Sequence, residues 1–188
     1  MSLKEWLGKI AGPRGYGDSL GTATIENSRV LSQALESSCE IINANAVGTS
    51  NVRSVLDRKA LAFTYFVTSN GARQYMKSEN VAPFHHGLAL SVVRSAVSEG
   101  LFRDAATAQA ELMADLALID HARPKQVLNM EQPGSDDVLG LLLETVRNKM
   151  GDVLTFSTAG EHNFADIARI LAKQTLKSIA SATERYRW

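Results

Sequence analysis

The stretch Asn51-Val-Arg-Ser-Val-Leu-Asp-Arg-Lys-Ala-Leu-Ala-Phe-Thr-Tyr-Phe-Val67 places Val52, Val55, Leu56, Phe63, Phe66 and Val67 at spacings of three, four and seven. That spacing is the period of a helix with one apolar face. The same reading extends outward in both directions. Leu31, Ala34, Leu35, Ser38, Ile41, Ile42 and Ala46 form a stripe over about 24–47. Ala105, Ala108, Leu112, Leu116 and Ile119 form another over 104–121, with Asp104 as its cap. Further helices are predicted over 136–150, carried by Leu139, Leu142, Leu143, Val146 and Met150, and over 161–186, carried by Phe164, Ile167, Ala168, Leu171, Ile179, Ala182 and Tyr186. In the last of these, Thr175 and Ser178 interrupt the stripe and suggest a close helix approach or a polar pocket.

Between them, residues 83–99 are apolar on nearly every side (Leu88, Leu90, Val92, Val93, Ala96, Val97), which predicts a central helix. Pro13, Pro83, Pro124 and Pro133 all fall between periodic segments. Alternation with a period of two is confined to Val153-Leu-Thr-Phe156, too short to make a sheet alone. The expected fold is all-α, a bundle of about six main helices.

The chain has 188 residues, 20 basic and 20 acidic side chains and no net charge. One domain of that length buries a core without metal or disulfide staples. Electrostatic neutrality removes the general case for a nucleic-acid partner, although Arg53, Arg58, Lys59, Arg73 and Lys77 gather in one helical region. Charge is uneven, with acidic residues prevailing over 100–137 and basic ones at both ends. A lone cysteine, Cys39, and the absence of a signal-like or membrane-length apolar run make the cytoplasm the expected location.

At the N-terminus, Leu3, Trp6, Leu7 and Ile10 follow i, i+3, i+4, i+7 and predict a short amphipathic helix over 2–10. Gly12-Pro-Arg-Gly-Tyr-Gly-Asp-Ser-Leu-Gly21 then reads as a glycine-rich linker. The organisation expected is therefore an appendage, 1–21, and one helical domain, 22–188. A tethered helix of this kind docks on a partner, swaps onto a second copy or packs on its own core. With two lysines and one glutamate in ten residues, its membrane affinity would be weak.

Few residues suggest chemistry. Gly12–Gly17 lacks the strand and the Lys-Ser/Thr signature of a phosphate loop. No Gly-x-Ser-x-Gly is present, and Glu36 and Glu40 would raise the Cys39 pKa. His85 and His86 are adjacent, so they point about 100° apart on a helix and do not share one metal. His121 and His162 are isolated, and no metal or cofactor is expected. Glu111 and Asp115 lie four apart with no basic neighbour in sequence. Lys59 falls inside the apolar stripe; its ammonium should reach water along its stem, or else must pair with a carboxylate or bind an anion. The first functional expectation is a non-catalytic protein-interaction or regulatory module, self-associating through Leu3, Trp6, Leu7 and Ile10. The alternative is a ligand-binding bundle, conceivably an enzyme, with a pocket near Lys59, Tyr65, His85 and His86.

Overall fold

The structure is a computed structural model and describes residues 3–41, 49–122, 144, 146 and 154–188. In chain order the described elements are α1 (Leu3–Ser38), β1 (Cys39–Ile41), α2 (Thr49–Tyr75), α3 (Ser78–Ser98), α4 (Ala105–Ala122), β2 (Leu154–Phe156) and α5 (Thr158–Tyr186). The protein is predominantly helical, as its periodicity predicts. The helix expected over 136–150 falls mostly outside the described residues, but Val146 is buried in the core.

Helix α1 is two helical segments joined at Gly12, whose φ of 59° and ψ of −171° leave the helical region. Glycine alone adopts that conformation without strain, and Pro13 forbids its predecessor from continuing a helix while suiting the first turn of the next. The short N-terminal segment ends there, and its side chains Leu3, Trp6, Leu7 and Ile10 lie outside the described residues. From residue 13 onward the chain is helical to Ser38. The linker expected over 12–21 is therefore corrected to a single-residue kink followed by helix, and the second helix starts earlier and ends earlier than 24–47.

The reason is the partner, α3. Gly17 and Gly21 lie one turn apart on the face that α3 touches, and Gly87 and Ser91 are their counterparts. A Cβ on Gly17 would sit 2.2 Å from the Phe84 carbonyl oxygen, and one on Gly87 would sit 2.0 Å from that of Arg14. On Gly21 it would meet Ser91 Cβ at 2.3 Å. Missing side chains let the two backbones approach, so packing offsets the low helix propensity of glycine. The pairings of Arg14 with Gly87, Gly21 with Ser91 and Arg29 with Glu99 show that α1 and α3 run parallel.

Helix α2 runs antiparallel to α1, with Thr24 facing Thr68 (3.2 Å) and Ser32 donating to Asp57. All residues from 59 to 69 are buried. The central helix is thus α2, a correction of the place expected for 83–99: Leu90 of α3 is 44% exposed, and the α3 face opposite α1 meets solvent. The α2 helix does not pause at Asn70-Gly71; a Cβ on Gly71 would lie 2.7 Å from Ile179 Cδ1, so that glycine admits α5. The core has two lobes along α2. Leu31, Leu35, Leu56, Phe63, Phe66, Phe164 and Leu176 fill one, and Ile25, Leu61, Phe84, Leu88, Val92, Phe102 and Ile179 the other.

Helix α5 returns along α1. Tyr16 donates to the Ser178 carbonyl at 3.2 Å, and Asn27 Nδ2 donates to Thr175 at 3.4 Å. Thr175 and Ser178 line a cleft of about 140 Å³ with Leu20, Thr24 and Thr68, where α5 lies against α1 and α2. β1 and β2 form a three-residue antiparallel pair, Cys39 opposite Phe156 and Ile41 opposite Leu154. Asp104 caps α4, accepting from the Thr107 N–H at 2.7 Å. That bond, with the Arg103 guanidinium beside it, holds the carboxyl at about 2.

Replacing Gly87 with Ala puts a methyl group against a helix backbone that has no room to yield. We expect a loss of about 1–3 kcal/mol, seen as a thermal midpoint lowered by roughly 2–4 °C per kcal/mol for a chain of this size. An unchanged midpoint in G87A would contradict the close α1–α3 approach.

Candidate functional site

Lys59 is buried, with 6% of its surface exposed, and pairs with Asp115 of α4. Its long stem points toward α4, and the carboxylate there compensates the charge. The preceding residue repeats the arrangement. Arg58 donates to both Glu111 oxygens, at 2.9 and 3.1 Å, and to the Leu101 carbonyl at 3.2 Å. Its guanidinium also lies 4.9 Å from the centre of the Phe102 ring. Glu111 and Asp115 therefore do have basic partners, supplied by consecutive residues of α2. The four-residue spacing that puts both carboxylates on one face of α4 matches the reach of two adjacent cations.

His85 lies on α3 against the C-terminal half of α2. Its Nε2 is 3.0 Å from the Ser69 carbonyl and 3.1 Å from the Ser69 hydroxyl. A nitrogen facing a carbonyl must carry the proton and donate. Burial lowers the His85 pKa, opposed by the Ser69 bond and reinforced by Arg73. His86 is exposed. Tyr65 is buried in the second core lobe, and burial raises its pKa. Lys59 and Ser69 are ten residues apart on α2, about 15 Å along its axis, so Lys59 and His85 belong to separate environments. Cys39 opens β1 rather than sitting mid-helix; burial, then Glu36, raises its thiol pKa.

A different set of residues shapes a polar cleft, and sequence reasoning did not single it out. A cleft of about 190 Å³ opens between α1 and the first half of α2, with the turn after α3 at one end. Ser32 and Gln33 of α1 face Arg53 and Asp57 of α2 across it. Ser32 donates to Asp57. Arg29 closes the α3 end by clasping Glu99 through Nη2 at 2.6 Å and Nε at 3.1 Å. A signal existed in sequence: Arg53 and Asp57 are four apart, hence on one face of α2. Their partners on α1 were hidden by the fold. Among the described residues, no group of three or more His, Cys, Asp or Glu side chains is placed to hold a metal.

Two outcomes follow for the buried pairs. Asp115→Asn leaves Lys59 charged and unpaired and should cost about 3–5 kcal/mol in urea unfolding, whereas the double replacement K59M/D115L should restore most of it. A D115N variant as stable as the parent would mean that Lys59 reaches water. For His85, the folded pKa lies below the unfolded one, so the unfolded chain binds the extra proton as pH falls. Stability should drop as pH falls from about 7 through the unfolded value near 6.5, and His85→Gln should flatten that slope. A slope unchanged in H85Q would assign it elsewhere.

Comparisons of the chain with protein families, with curated proteins and with solved structures find no match, so its functional reading rests on its own residues.

Proposed function

We propose that this chain is a non-catalytic protein-interaction module of the cytoplasm, a compact helical bundle that self-associates through its N-terminal helix. The observation that carries this reading is the break at Gly12. The helical body from residue 13 is anchored by Gly17 and Gly21 against α3 and by Tyr16 against Phe84, Trp188 and Ser178. The segment ahead of it is helical, has its own direction and carries the apolar spacing Leu3, Trp6, Leu7, Ile10. A helix with one apolar stripe is stabilised by covering that stripe, and a second copy of the chain supplies the matching surface twice, by symmetry. The single, half-buried Cys39, unpaired in the fold, is in keeping with a reducing compartment. Among the described residues, no helix is long and apolar enough to cross a membrane.

Because residues 13–20 belong to the packed body, the informative deletion ends at residue 11. Light scattering on the full chain should give a dimer, and both the deletion of 1–11 and the pair Trp6→Ser, Leu7→Ser should give monomers with unchanged thermal midpoints. A monomeric full chain, or a dimer that survives both changes, would overturn the reading.

A further inference from the structure

We propose that the cleft between α1 and α2 is a binding site for a small zwitterion of the α-amino-acid class, its carboxylate on Arg53 and its ammonium on Asp57. This is independent of self-association.

Four charged side chains line the cleft, and their engagements differ. Arg29 and Glu99 satisfy one another through two hydrogen bonds and form a wall. Asp57 accepts only the Ser32 hydroxyl among the described residues, and a carboxylate has about four lone-pair positions. Arg53 is exposed and has no ion-pair partner among the described residues. Although one turn apart on α2, Arg53 and Asp57 do not pair with each other within salt-bridge distance. Each therefore has spare capacity directed at the same space.

A guanidinium offers a planar fork of donors that fits a carboxylate by two parallel bonds, and Asp57 offers acceptors for an ammonium. A ligand with only an anion leaves Asp57 repelling it, and one with only a cation leaves Arg53 doing so. The zwitterion satisfies both. Ser32, itself buried, lines the same cleft and donates to the Asp57 carboxylate, so the acceptor is oriented before a ligand arrives. The cleft holds about 190 Å³, the volume of roughly six waters. That suits a small polar amino acid. Leu101 contributes the apolar part of the wall. Asp57 and Lys59 are two residues apart, about 200° around the helix, so the cleft is separate from the Lys59–Asp115 pair.

The test is calorimetric titration of the full chain with each of the common L-amino acids in turn at millimolar concentration. At least one small polar member should bind saturably. For that member, Arg53→Gln and Asp57→Asn should each weaken binding at least about tenfold, as expected for removal of one charge-assisted partner. Arg53 has no ion-pair partner among the described residues, so R53Q should keep the parental thermal midpoint. The analogue lacking the carboxylate and the analogue lacking the amine should both bind at least about tenfold more weakly than the parent amino acid. No binding by any amino acid, binding unmoved by R53Q and D57N, or equal binding of either analogue would overturn the assignment.

Discussion

The fold depends on the absence of side chains at Gly17, Gly21 and Gly87. There the backbones of α1 and α3 meet without intervening atoms, at distances that a single added carbon would violate. The other placements follow from that seam. With α3 held against α1, the short turn at Met76 and Lys77 sets α2 alongside both helices, and α2 becomes the axis around which the two core lobes form. Helix α5 then covers the remaining side of α1 and α2, using Gly71 for its approach. Polar residues on the same faces, Thr24 with Thr68 and Ser32 with Asp57, complete the seams through hydrogen bonds made inside the protein.

Much of the architecture was legible because helix periodicity is local. The stripes of α2 and α5 and the Asp104 cap needed no knowledge of neighbours. The glycines of 12–21 were misleading for the converse reason. Glycine in a sequence window signals a turn unless a second surface rewards its small size, and that surface lay about seventy residues away on α3. Lys59 left two readings open, an ammonium extending to water or one paired with a carboxylate, and only the placement of α4 brings Asp115 to it. The candidate cleft was invisible because its polar groups come from α1, α2 and the turn after α3. The four-residue spacing of Arg53 and Asp57 was its one local trace.

The charged residues divide by task. Arg58 and Lys59 hold α4, a helix with a modest apolar footprint on the body, through paired bonds to Glu111 and Asp115. A buried ion pair adds little net stability compared with apolar packing, but it penalises any other register of α4 on α2, because a shift strands both charges. Arg29 and Glu99 join the end of α3 to α1 at a position more exposed than the Lys59–Asp115 pair, where an ion pair adds less. Arg53 has no ion-pair partner among the described residues and Asp57 accepts only the Ser32 hydroxyl of α1, which distinguishes them from the ion-paired Arg58 and Lys59.

The parallel course of α1 and α3 carries a kinetic consequence. Rapid folding of helical proteins rests on contacts between residues close in sequence, whereas the tightest seam here joins Arg14 to Gly87. Closing so long a loop costs entropy that the seam itself does not repay until α2 has reversed the chain and brought α3 into register. The glycine interface is accordingly a late event in folding. It governs how long the assembled protein lasts more than how fast it assembles.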